Sequence, residues 1–195
     1  MPKRKDRRVE RTQQLIRGAL LSLIRERGFE TLTVQEIIDR ANVGRATFYA
    51  HFENKDDLLV SGFDDLRASL KAGQRDALSR GQTIEDRVFG FSHEVFAHTN
   101  EYRDVFRAMA GKRSGAVVQR LLHKLVVDLV REDVRAAMIT KEKNTVPPEA
   151  LVQFIAGALF GIVMWWLDGK MRLSVAEVNA LFRRLAIPAV RAARG

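Results

Sequence analysis

Within VGRATFYAHFENKDDLL, residues 43–59, an arginine stands at 45, a tyrosine at 49, a histidine at 51 and a lysine at 55. A guanidinium can bond in bidentate fashion to guanine, and a threonine methyl or an alanine can contact the thymine methyl. Arg45, Ala46 and Thr47 therefore suit the reading of base edges. A phenol, an imidazole and an ammonium donate to phosphate oxygens, which fixes register without reading sequence, and Tyr49, His51 and Lys55 supply those groups. The set works only if one short helix turns these residues outward while Ala41, Val43, Phe48 and Phe52 hold it against a support. The formal net charge of +9 agrees with a polyanionic partner, nucleic acid ahead of an anionic membrane.

The elements that position such a helix are legible on either side. Leu15, Ile16, Ala19, Leu20, Leu23 and Ile24 recur at helical spacing, and Gly28 stands where a C-terminal cap would end a first helix of about residues 9–27. Thr33 and Glu36 form a capping-box pattern before Ile37 and Ile38, which marks a second, short helix ending near Ala41. Asn42, Val43 and Gly44 make a tight turn, and a two-turn helix over residues 45–51 follows. Asn54 can cap a fourth helix carrying Leu58, Leu59, Phe63, Leu66 and Leu70. Two short helices joined by a tight turn and braced by a longer first helix are the layout of a helix-turn-helix.

Beyond it, Gly73 and Gly81 bracket a polar stretch that reads as a linker. Thr83 opens a helix with Ile84, Val88, Phe91 and Val95 on one face, and Asn100 caps a short helix to about Met109. A long helix over about residues 115–139 is apolar around most of its circumference. The surface loop KEKNTVPPEA leads into an eighth helix, about residues 148–168, apolar all round. Ser174 and Glu177 form a second capping box before a ninth, with Val178, Leu181, Phe182, Leu185 and Ala189 at helical spacing. The expected fold is all-α, with about nine helices and no strand.

Composition narrows the function classes. The absence of cysteine removes disulfides and thiolate metal sites and fits a reducing compartment. No signal-peptide pattern follows MPKRKDRRVE, so a cytoplasmic protein is expected, and the tail PKRKDRR is either an arm onto phosphate or a solvated run. The longest apolar run, FIAGALFGIVMWWL, falls short of the roughly 20 residues that cross a bilayer, so a buried helix is expected and no membrane partner. No glycine-rich phosphate loop, H-E-x-x-H or G-x-S-x-G is present, so neither a catalytic residue nor a cofactor is implied. The histidine spacings do not suggest a metal site. His123 shares a face with Val127, Val130 and Val134, and it either enters a cavity or is a hydrogen-bonded core histidine. Phe106 and Met109, near it, either line an apolar small-molecule pocket or are plain core.

From about Arg11 to Leu59 the chain resembles the DNA-binding domain of the tetracycline-repressor (TetR) family of transcriptional regulators. The resemblance is carried by RGFETLTVQEII, the turn ANVG and the string T-F-Y-A-H-F-x-x-K-x-x-L, residues 47–58. It implies a helix-turn-helix domain over residues 9–55 and a helical ligand-sensing and dimerisation domain over residues 56–195. It also implies phosphate contacts from Thr33 and the amide end of the second helix, and from Tyr49, His51 and Lys55, with Arg45, Ala46 and Thr47 on bases. Gly44 departs from the serine or similar residue often found there, so that helix is expected to lack a side-chain cap. The end, WWLDGKMRLSVAEV, is similar to a C-terminal pattern in one branch of the family.

The expected protein is a sequence-specific transcriptional repressor. It would bind a double-stranded operator with symmetric half-sites as a homodimer formed through helices 8 and 9, and be released by a small-molecule effector. An activator or coactivator acting through a protein partner is the alternative, and a helical enzyme or lipid-binding protein with a vestigial helix-turn-helix is a further one.

Overall fold

The computed structural model describes residues 4–81, 83–138, 146–169 and 172–194. Among them lie ten helical segments and no strand. The chain divides into two compact units, one of residues 1–65 with 104–118, the other of residues 66–103 with 119–195.

The first unit contains α1 (Arg4–Arg27), α2 (Val34–Ala41) and α3 (Arg45–Tyr49). It also holds the start of α4 (Lys55–Arg80), most of α7 (Arg103–Met109) and the start of α8 (Arg113–Ala137). From Arg4 onward the basic N-terminal run lies on the first turns of α1 rather than in a separate arm. Gly28 ends that helix at φ +77°, where a side chain would be strained, and its N–H donates to the Ile24 carbonyl at 2.8 Å. The capping box closes as the sequence suggests. The Thr33 hydroxyl accepts from the Glu36 N–H at 3.3 Å, and the Glu36 carboxylate accepts from the Thr33 N–H at 2.8 Å. Ile16, Leu20, Ile24, Ile37, Phe48 and Leu58 are buried and join the helices into one core.

The second unit contains the rest of α4, α5 (Ile84–Arg87), α6 (Ser92–Glu101), the rest of α8, α9 (Pro148–Asp168) and α10 (Val175–Arg194). Phe96 meets Trp166 edge to face at 5.8 Å and Phe89 meets Phe182 at 5.4 Å, so rings from α6, α9, α10 and the corner before α6 fill its centre. The Ser174 and Glu177 box caps α10 as expected. The helix expected to run on from Thr83 through Val95 is interrupted instead. Phe89 adopts φ +60°, and its N–H donates to the buried Asp133 carboxylate of α8 at 2.5 Å. Asn100 lies inside α6, and the helix it was expected to cap begins three residues later.

Gly73 does not open a linker, because α4 runs through it without a break. At Gly73 the helix passes the corner before α6, where Gly90 comes close and is the glycine whose missing side chain the packing requires. A Cβ on Gly90 would stand 2.3 Å from the Ala77 Cβ and 2.9 Å from the Gly73 carbonyl oxygen, whereas a Cβ on Gly73 would meet its nearest atom at 3.5 Å. Gly90→Ala should therefore lower stability by about 1–3 kcal/mol through overpacking. Gly73→Ala should raise it by up to about 1 kcal/mol, since alanine suits a helix interior better than glycine. Urea unfolding of both variants checks this opposition of signs.

The expectation that no segment is long enough to cross a bilayer rested on an apolar run shorter than the helix containing it. By length and composition the 21-residue α9 is sufficient. Its Leu151, Ile155, Leu159, Val163 and Trp166 are buried in the second unit, where it packs on α10 and α6, and a core helix passes the same test.

Candidate nucleic-acid interface

The short helix α3 is held by one ring. Phe48 is fully buried, with Phe52 beside it at 5.8 Å between centroids, so the remaining side chains of α3 turn away from the core. Arg45 and Ala46 are exposed, Thr47 is half-buried, and Tyr49 is 48% exposed. The Arg45 guanidinium makes no ion pair or hydrogen bond among the described residues. Its carbon lies 5.9 Å from the centroid of the Tyr49 ring, which places both side chains on one face, one helical turn apart. His51 is half-buried against Phe52, with centroids 6.2 Å apart. The turn into α3 is uncapped by any side chain. The Gly44 carbonyl accepts from the Thr47 and Phe48 N–H groups at 2.9 and 3.1 Å instead.

Thr33 stands exposed at the N-terminus of α2, but its hydroxyl is engaged, donating to the Glu36 carboxylate at 2.9 Å. Glu36 is held below the usual carboxylate range first by the Thr33 N–H, then by the Thr33 hydroxyl and Arg27.

Lys55 is placed differently from the expectation of a phosphate contact. Its ammonium donates to the carbonyls of Phe29, Glu30 and Leu32 at 3.0, 3.1 and 2.7 Å, and lies 4.7 Å from the Phe29 ring centroid. An ammonium has three donors, and all three are used here. These carbonyls belong to the turn between α1 and α2, which has no helical partners to offer them, so Lys55 ties the N-terminus of α4 to that turn. Lys55→Ala should cost about 1.5–3 kcal/mol of stability. It should weaken DNA binding without changing the slope of log K against log salt, which loss of a phosphate contact would flatten by about one. Salt titrations of the two proteins distinguish these roles.

A further tie in this unit was not legible in the sequence. The Glu30 carboxylate accepts from the Ser114 hydroxyl at 2.6 Å and from its N–H at 3.0 Å, so the same turn is fixed to the first residues of α8. These bonds, the hydroxyl's first, hold Glu30 below the usual carboxylate range.

The residues expected to line an effector pocket are divided between the units. Phe106 and Met109 belong with the helix-turn-helix, half-buried and 2% exposed respectively. His123 lies in the second unit, half-buried, meeting the Phe160 ring edge-on at 5.6 Å. Met109 is packed as core in the first unit.

Residues 16–61 match the family of bacterial regulatory proteins called tetR, and residues 86–187 match a transcriptional regulator C-terminal region. The chain belongs to the TetR family. A curated relative, the uncharacterized HTH-type transcriptional regulator YxbF of Bacillus subtilis (strain 168), is 22% identical over 171 residues. That match covers 87% of this chain but 43% of the relative, so the chain spans less than half of that relative's length. A putative TetR-family regulator from Syntrophomonas wolfei str. Goettingen superposes with a TM-score of 0.78 at 17% identity, over 93% of this chain and 96% of that one. The regulator FadR from Bacillus subtilis, solved in complex with stearoyl-CoA, superposes with a TM-score of 0.65 at 16% identity, over 92% and 98% of the two chains. Arg45, Tyr49 and Lys55, with all of α2 and α3, thus fall within the TetR match, and α6, α8, α9 and most of α10 fall within the C-terminal one.

Proposed function

We propose that this TetR-family chain is a cytoplasmic, homodimeric repressor that binds a DNA operator with symmetric half-sites and is released by a small-molecule effector. The observation that carries the DNA-binding part is the division of α3, in which Phe48 is fully buried while Arg45, Ala46 and Tyr49 stand exposed beside it. Arg45 reads a base, with Ala46 and Thr47 making apolar contacts. Tyr49, His51 and the Thr33 end of α2 anchor phosphates, and Lys55 keeps that surface in shape. The two copies join through α9 and α10, which expose Phe154, Trp165 and Leu185. The effector binds in the second unit, on the side of His123 and Phe160. The stearoyl-CoA held by the Bacillus subtilis FadR supports effector control in a fold of this kind.

Selection of bound duplexes from a random pool tests the reading, and a palindromic site should emerge, with half-sites about one helical turn, roughly 34 Å, apart. Arg45→Ala should then cost about 1–3 kcal/mol on that site and much less on unrelated DNA. An equal loss on both would make Arg45 a backbone contact. Recovery of no preferred sequence would remove the operator-binding reading itself.

A further inference from the structure

In the second unit a cleft of about 350 Å³ opens between α4 and α8. Arg67 and Lys71, one turn apart on α4, face Arg131 and Arg135, one turn apart on α8. Leu125, 2% exposed, and two carboxylates of α8, Asp128 and Glu132, complete the lining. The α4 side is fixed in place because the buried Gln74 donates to the Leu129 carbonyl at 2.7 Å and to Asp133 at 2.6 Å.

The charges in this cleft do not cancel. Arg131 takes both Asp128, at 3.2 Å, and Glu149, at 2.9 Å. Lys71 approaches Glu132 only to 3.6 Å, too long for a hydrogen bond, so its donors stay available. Arg67 and Arg135 make no ion pair or hydrogen bond among the described residues. A solvated helix face of this density normally pairs its guanidiniums with carboxylates at i+3 or i+4, as Arg131 does with Asp128. Here the guanidiniums of Arg67 and Arg135 line one concavity with their forks unfilled, beside the Lys71 ammonium, which Glu132 approaches at 3.6 Å. Like charges gathered in this way repel one another, and an anion seated among them removes that cost.

We propose that the α4–α8 cleft binds a small, multiply charged, phosphate-bearing anion. Arg67 and Arg135 grip phosphoryl oxygens from opposite walls, and Lys71 adds a point charge between them. A guanidinium presents parallel N–H groups that match two oxygens of one phosphoryl group, a geometry that the Arg67 and Arg135 side chains of the lining supply. The cleft has room for more than one such group, and its cations outnumber its carboxylates, so a diphosphate is a better match than a monovalent anion. Both helices have residues in each compact unit, α4 beginning and α8 beginning among residues of the helix-turn-helix unit. An anion that clamps them in the second unit therefore acts on the two helices that continue into the first. In that respect the inference deepens the reading of the chain as an effector-controlled regulator and rests on it. The binding event itself is independent of it.

The test is titration calorimetry of the whole chain with pyrophosphate at constant ionic strength, with no DNA present. One site per chain is expected, weakened at least tenfold by Arg67→Gln and by Arg135→Gln and lost in the double variant, each with its melting transition retained. Arg45→Ala, on the DNA-facing helix, should bind pyrophosphate as the unaltered protein does. Absence of heat at millimolar pyrophosphate, or binding that survives in the double variant, overturns the site. So does binding that is lost in Arg45→Ala, because the anion would then sit on α3. The double variant should also keep its affinity for duplex DNA. If all duplexes weaken together with pyrophosphate, the cleft is a DNA contact and the proposal fails. If no duplex binds any variant or the parent while pyrophosphate binding follows Arg67 and Arg135, the regulator reading fails and the anion site stands.

Discussion

Replacing Asp133 with alanine is expected to lower the stability of the second unit by about 3–5 kcal/mol, and its melting temperature by roughly 10 °C or more. Asp133 is completely buried, and its two oxygens accept from the Phe89 N–H and the Gln74 amide at 2.5 and 2.6 Å. Phe89 sits in a left-handed conformation that costs a bulky residue free energy, and the hydrogen bond to Asp133 is what offsets it. From the other side Arg183 of α10 donates to the Val88 and Phe89 carbonyls at 2.7 and 3.2 Å. The alanine variant removes the acceptor, leaves two buried donors without it and deprives the Arg183 cation of a nearby negative charge. A loss under about 1 kcal/mol in urea unfolding would mean that the corner between α5 and α6 is held by its apolar contacts alone.

The same group should write a pH dependence into the stability. Burial raises the Asp133 carboxyl from 3.8 to about 6, against the opposing pull of the Phe89 and Gln74 hydrogen bonds and the Arg183 charge. Its pKa is thus higher folded than unfolded, so the folded state binds the extra proton, and stability falls as pH rises from about 4 through 6. Above that window the ionised form carries a penalty of about 3 kcal/mol. Asp133→Asn cannot ionise, and it turns one donor toward the Gln74 amide. The gap in stability between parent and variant should therefore be widest near pH 4 and narrow toward neutrality, while carboxylates elsewhere affect both proteins alike. A gap that stays flat across this range would place the Asp133 pKa near its ordinary value.

Local signals in the sequence predicted local structure well. The capping boxes at Thr33 and Ser174 are each completed by atoms three residues apart, and α9 starts at the proline and ends at the aspartate that its pattern marked. The readings that differ depended on distant atoms. Ile84, Val88, Phe91 and Val95 keep helical spacing across a real break, because the break is held by an aspartate 44 residues away. Gly73 reads as a linker residue until Gly90 is seen against it. Lys55 reads as a phosphate ligand because sequence gives its charge and not the three carbonyls converging on it. The outward set on α3 was legible because burial of Phe48 alone decides which way its neighbours face.

Trp165→Glu and Leu185→Glu are expected to dissociate the proposed dimer while leaving the chain folded. Phe154, Gly157, Gly161 and Trp165 recur along one stripe of α9, with Phe154 and Trp165 61% and 55% exposed, and Leu185 on α10 is 59% exposed. A Cβ on Gly157 or Gly161 would meet nothing within 4 Å in the chain itself, so two aromatic rings flank a shallow trough that a second copy of the helix can approach closely. A carboxylate placed there must be desolvated without a partner, which should cost several kcal/mol and raise the dimer dissociation constant by about 10² to 10³ or more. Phe182 is a different case, although the sequence places it on the same amphipathic helix. It is fully buried within one chain against Phe89 and Phe96, so Phe182→Glu should unfold the second unit whatever the oligomeric state. Circular dichroism and sedimentation velocity separate the two behaviours. Helix retained with a halved mass is expected for Trp165→Glu and Leu185→Glu, with operator affinity falling as the two recognition helices cease to be linked. Folded variants that still sediment as dimers would move the interface off α9 and α10, and with it the geometry that matches two half-sites.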